Sequence, residues 1–168
     1  MPPNDTAFLP ELDSANFFID HPGISFKPGV YRDREITLAD SYSLAEELIY
    51  SDMVISYPST LILDTTVFSK QVIIVAFDGD ENRPYLQSCR RLLDFTHTNH
   101  LLGFGCFLVS RNKKDFLDHI TCLLNGAKTS PTNRNKIIHH YIAPWDGQAG
   151  IRIAKFLFDL LESKQKND

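Results

Sequence analysis

Two runs near the middle of the chain restrict its fold more than any other feature. MVIS (53–56) and QVIIVAF (71–77) are almost continuously apolar, rich in Val and Ile, and separated by about the length of a short helix and its turns. An amphipathic strand alternates apolar and polar residues, whereas a strand covered on both faces has no polar side to show. Such strands occur in parallel sheets, whose crossover connections bring helices onto the faces. CFLVS (106–110) repeats the pattern. The expectation is an α/β protein, a three-layer α/β/α doubly wound parallel sheet of Rossmann-like type joined by right-handed crossovers.

The rest of the chain supplies the helices. Ser43-Leu44-Ala45-Glu46 has capping-box spacing, and Leu44, Ala45, Leu48 and Ile49 follow as one apolar stripe. The segment from Ser59 to about Ser69 reads as a mostly apolar helix. Helical pieces are expected near 85–94 and 97–102, and Asn112 can cap a helix that turns Phe116, Ile120, Leu123 and Leu124 inward and ends at Gly126. A further helix over about 131–142 stops before Pro144. Asp146 can cap the last helix, where Ile151, Ala154, Phe158 and Leu161 form a stripe. FFID (17–20) and ISF (24–26) are short β-prone pieces, and GVYRDREITLAD reads as a loop leading to a helix. Residues 1–16, with three prolines and three acids, read as an arm, 17–163 as one nucleotide-binding domain, and 164–168 as a polar tail.

Composition excludes several functions. A chain of 168 residues with net charge −4 is no dedicated nucleic-acid binder, because that affinity rests on clustered Lys and Arg. Cys89, Cys106 and Cys122 are an odd number at unrelated spacings in apolar surroundings, which suits reduced core thiols rather than disulfides or a metal site. No apolar run approaches the roughly 20 residues that span a bilayer, and the first residues lack a signal peptide's basic and apolar regions. A cytoplasmic protein with no integral membrane segment is expected.

Chemistry concentrates in Tyr57-Pro58-Ser59-Thr60, between the first buried strand and the helix after it. In open parallel sheets ligands bind outside the carboxyl ends of the strands, where helix N-termini present amide N–H groups. Ser59 or Thr60 can cap that helix, and either hydroxyl can also reach a phosphate. Asp64, one turn further, is either close to this crevice or faces solvent.

The run LAEELIYSDMVISYPSTLILDTTVFSKQVIIVAFDG, followed by SCRRLLDFTHTNHLLGFGCFLVS and WDGQAGIRIAKFLFDLL, resembles the C-terminal, nucleotide-binding half of GT-B glycosyltransferases. The similarity is greatest to the CDP-glycerol glycerophosphotransferase-like, polysaccharide-biosynthesis branch and spans about residues 38–162. The matching elements are Ser51 to Ser56, Ser59-Thr60 with Asp64, Lys70 to Ile73 with Gln71 in place of the usual proline, the tract from Arg90-Arg91 to His97, and Asp146 to Ala149 with Arg152 to Ala154. The resemblance implies transfer of a sugar or polyol phosphate from a nucleotide-activated donor in surface polysaccharide or glycoconjugate synthesis, with no metal or other cofactor. It places the donor diphosphate at Ser59 and Thr60, where preorganised donors favour the negative charge growing on the leaving group. Arg90 or Arg91 would add positive charge, or stand as surface arginines. His97 would orient a phosphate or hydroxyl, or serve the structure. Asp146 would touch the ligand or only cap its helix.

Other signals lead elsewhere. Asp78-Gly79-Asp80 spells an Asp-x-Asp metal motif but also a common turn, and His119 and His139-His140 lack ligand-spaced partners. His21-Pro22 stands in an ill-fitting context. GT-B enzymes have two domains, and this chain resembles the second. It is then a fragment of a longer enzyme, a donor-binding subunit with a partner acceptor domain or chain, or a noncatalytic nucleotide-binding or interaction module. Apolar residues of the arm and of 98–105 would mark the face toward the missing half.

Overall fold

A computed structural model describes residues 18, 20, 22–26, 34–81 and 83–165. The expectations for the arm, for most of FFID, for His21 and for residues 27–33 lie outside this range. The chain forms two compact units, Met1–Tyr50 and Ser51–Asp168.

In the first unit, β1 (Ile24–Ser25) pairs antiparallel with β2 (Arg34–Glu35), a strand hidden in the segment read as loop. Gly23, at φ +87°, is required here, since a Cβ would meet the Glu35 carbonyl oxygen at 3.0 Å. Helix α1 spans Leu38–Tyr50 and starts five residues before Ser43. Its box is Thr37 with Asp40: the Asp40 carboxylate accepts from the Thr37 amide (2.7 Å) and hydroxyl (2.6 Å), and the Thr37 hydroxyl accepts from the Asp40 amide (3.2 Å). Asp40 also accepts from the Gly23 amide at 3.0 Å, tying the β-pair to the helix start. An acid three residues after a hydroxyl can close this box with either Asp or Glu, which is why the later Ser-x-x-Glu misleads.

The second unit is α/β, built on a small parallel sheet in the order β3 (Met53–Ser56), β4 (Gln71–Val75), β5 (Leu108–Ser110). Met53 stands beside Gln71 and Ser56 beside Ile74, while Ile73 stands beside Leu108 and Val75 beside Ser110. Helix α2 (Leu61–Val67) connects the first two strands. Two 3-10 turns, Tyr85–Gln87 and Cys89–Asp94, and helix α3 (Thr96–Leu102) connect the next two. Helices α4 (Lys113–Leu124) and α5 (Pro131–Ile137), a π-turn at Ile138–Ile142 and helix α6 (Ala149–Gln165) complete it.

Strand periodicity separates two covered faces. Val72, Ile74 and Ala76 join Ile62 of α2, Leu93, Leu101 of α3, Cys106 and Ile137 of α5 in one buried core, against which Phe104, Phe107, Val109 and Tyr141 pack. On the opposite face Ser110 is hydrogen bonded to His119 of α4 at 2.9 Å, and the Phe77 ring lies 6.2 Å from that of Phe116. The near-continuous apolar spelling of β4 follows from this double cover.

Several expected positions differ. Leu123 of α4 is buried but Leu124 is 71% exposed, because it falls beyond the buried arc of the helix. Of the expected core thiols Cys106 is buried, Cys89 half-buried and Cys122 exposed. Leu101 is buried and Leu102 and Phe104 pack on the core, so 98–105 is no apolar outer face. That exposure belongs to α6, whose described side chains are all exposed, its stripe of Ile151, Phe158 and Leu161 included.

Candidate binding cleft at the carboxyl edge of the sheet

Strand β4 ends at Val75, and Ala76, Phe77 and Asp78 carry the chain out of the sheet. The Asp78 carboxylate is only 5% exposed and accepts from the Cys89 amide at 2.8 Å, with Arg90 Nε at 3.7 Å. The buried Ser88 hydroxyl also bonds to Asp78. Ser88 Oγ in turn accepts from the Arg90 amide (3.1 Å) and Arg90 Nε (2.8 Å), and Arg90 donates to the Arg83 carbonyl at 3.1 Å. The Ser88 and Cys89 donors hold the Asp78 carboxyl below the usual carboxylate range. Asp78 therefore fastens the second 3-10 turn to the end of β4. Among the described residues no group of three or more His, Cys, Asp or Glu is placed to hold a metal ion.

Beside this junction lies a cleft of about 360 Å³ lined by Tyr57, Asp78, Arg83, Gln87, Ser88, Cys89, Arg91 and Leu92. Tyr57 follows β3 and Asp78 follows β4, so the cleft opens outside the carboxyl ends of two parallel strands. Arg83 is paired with Glu81 at 2.6 Å. Arg91 lies 6.0 Å from the Phe95 ring centroid, and among the described residues no carboxylate forms an ion pair with it. Burial and the adjoining Asp78 push the Cys89 thiol up to about 11. A thiol held protonated is a poor nucleophile.

Ser59 and Thr60 stand next to a smaller depression of about 110 Å³, with Ile62, Leu63, His97, Thr98, Leu101 and Tyr141. Thr60 is already helical (φ −64°, ψ −21°) and its side chain makes no capping bond. The carbonyls of Ser59 and Thr60 accept from the Ile62 and Leu63 amides, and the Ser59 hydroxyl lies 3.3 Å from that of Ser56. The expected hydroxyl cap is thus absent, the turn having closed on the backbone instead. His97, exposed and tilted against Phe95 at 5.7 Å, shares this depression.

The structure therefore brings Ser59, Thr60 and His97 together, puts Arg91 in the larger cleft, and uses Arg90 inside the junction. Asp64 lines a third depression, with its carboxyl pushed up by burial. Asp146 accepts both 2.8 and 2.9 Å bonds from Arg152 and a 3.0 Å bond from the Gln148 amide ahead of α6. Gln71, in place of the proline, accepts from the amide and hydroxyl of Thr129 at 2.9 Å each, which tether the loop before α5 to the start of β4. His140 packs against His100 and Tyr141 rather than standing alone. Sequence reasoning missed Arg83, Gln87, Ser88 and Cys89 as cleft residues. The available signal was the serine two residues before Arg90, which caps the turn that carries Arg91.

No described helix is long and apolar enough to cross a membrane. Comparison with protein-family models, with curated proteins and with solved structures finds no match.

Proposed function

We propose that the chain binds the diphosphate of a nucleotide-activated sugar or polyol in the cleft at the carboxyl edge of its sheet, as the donor-binding domain of a glycosyltransferase-like enzyme. The observation that carries this reading is the Arg91 guanidinium, which among the described residues has no ion-pair partner, lining a cleft outside the ends of two parallel strands. A planar guanidinium binds phosphate oxygens in bidentate fashion, and the cleft volume suits a small ligand. The Asp78 junction fixes the turn on which Arg91 is carried, so the cation is held in place before a ligand arrives. The sequence resemblance supplies the donor class, and helices on both sheet faces accord with a Rossmann-like, doubly wound half of a GT-B fold. Ser59, Thr60 and His97 would meet the part of the donor beyond the diphosphate. In this reading Asp64, Arg90 and Asp146 do not touch the phosphates.

A noncatalytic binding module is the second reading. It is favoured by the cleft's acid, Asp78, being engaged with Ser88, Cys89 and Arg90 and its thiol, Cys89, being held protonated. Neither group is poised to act as a base or a nucleophile.

Calorimetric titration with UDP, CDP and GDP tests both. Arg91→Ala is expected to weaken binding by about 10- to 100-fold, the worth of a charge-assisted contact, while Ser59→Ala/Thr60→Ala leaves the nucleoside diphosphates bound. Absence of binding by all three nucleotides, or equal binding by Arg91→Ala, overturns the proposal. Release of the sugar or polyol phosphate from a bound donor separates the transferase from the module.

A further inference from the structure

The third depression has a chemistry unlike that of the cleft. Leu63, Asp64, Val67 and Phe68, from α2 and its end, face Tyr141, Ile142 and Trp145, from the π-turn and the segment after it, around a space of about 450 Å³. Six of these seven side chains are apolar or aromatic. Among the described residues Asp64 is the one charged group of the lining, and no donor or cation bonds to its carboxylate. Asp64 is exposed at the mouth of the depression, and its partial burial against the apolar lining raises its affinity for a proton. Phe68, Tyr141 and Trp145 contribute aromatic rings, whose faces carry partial negative charge.

These features define the complementary ligand. An anion would meet a carboxylate and no positively charged side chain in the lining. A hard divalent cation requires several oxygen ligands, and the depression offers one carboxylate. A neutral apolar molecule would fill the space but leave the carboxylate further desolvated. A cation wrapped in methyl or methylene groups satisfies both the acid and the rings, because its charge is spread over an apolar surface that aromatic faces attract.

We propose that the depression between α2 and the π-turn binds an alkylammonium group, with Asp64 opposite the positive charge and Phe68, Tyr141 and Trp145 against its carbon atoms. This site is separate from the nucleotide cleft and does not depend on the reading given to it.

The chain's single tryptophan is Trp145, so its fluorescence reports occupancy directly. The full chain is titrated at constant ionic strength with choline, with the amide of acetylated trimethyllysine, and with 3,3-dimethylbutan-1-ol, a neutral molecule of choline's shape. Saturable emission changes are expected with a cation at concentrations at least tenfold below those the neutral alcohol requires. Choline binding alone indicates a free small amine as the source, and trimethyllysine binding alone indicates a modified side chain. Asp64→Asn should abolish the preference for cation over alcohol, with an unchanged thermal midpoint showing that the exposed position tolerates the change. Trp145→Leu, followed by calorimetry, should weaken choline binding at least threefold. Equal response to choline and the alcohol, or an undiminished preference in Asp64→Asn, overturns the proposal.

Discussion

Single residues settle how α2 ends. Ser69 stands at φ 59°, in the left-handed region that residues with a Cβ enter at a cost. The Lys70 amide donates to the Thr65 carbonyl (3.0 Å) and the Ser69 amide to that of Thr66 (3.2 Å), the bonds of a helix terminus normally closed by glycine. Ser69→Gly is therefore expected to stabilise the chain by about 0.5–1 kcal/mol, read from urea denaturation midpoints. Thr65 and Thr66 show the complementary case. Both are buried on α2, and both hydroxyls donate to the Ile62 carbonyl at 2.7 Å, so a polar pair in the core leaves no donor unsatisfied.

Elements are held by junctions as much as by their own propensities. The 3-10 turn over Cys89–Asp94 is short, and its attachment to β4 rests on the ionised Asp78. The depressed native pKa of that group means its contribution is complete above the ordinary value of 3.8 and is lost as pH falls through the native one. Asp78→Asn should lower stability at pH 7 and show a smaller further loss between pH 5 and 3 than the parent chain, measured by denaturant unfolding at each pH. Legibility in sequence divides along the same line. MVIS, QVIIVAF and CFLVS announce β3, β4 and β5 through local apolar runs. The double cover that explains such a run holds for the central β4, whereas the edge strand β3, expected to be buried, leaves Ile55 47% exposed. Asn112, whose side chain accepts from the Asp115 amide at 2.8 Å, announces α4 for a similarly local reason. The cleft was only partly legible: Tyr57 and Arg91 fall in motifs that could be read, whereas the Asp78–Ser88–Arg90 junction joins residues across a turn. Two-residue strands such as β2 carry no periodicity at all, and the start of α1 hung on which of two box-like spacings the fold used.

At the scale of the whole molecule, α6 stands apart. Its Ile151, Ile153, Phe156, Leu157, Phe158 and Leu161 are each more than half exposed, and Trp145 precedes them at 67%. A helix with large side chains on this many sides reads in sequence as a core element, since periodicity shows which residues share a face but not whether anything covers it. The isolated chain should therefore enhance the fluorescence of an apolar dye such as ANS, and Phe156→Lys/Phe158→Lys should reduce that enhancement at least twofold while leaving far-ultraviolet circular dichroism unchanged. Elsewhere in the same unit Leu63 and Tyr141 line both the depression beside Ser59 and the one beside Asp64, and the Tyr141 hydroxyl is held by His100 at 2.5 Å. One phenol ring is thus the party wall of two rooms. Whatever leans on it from one side redraws the floor plan of the other.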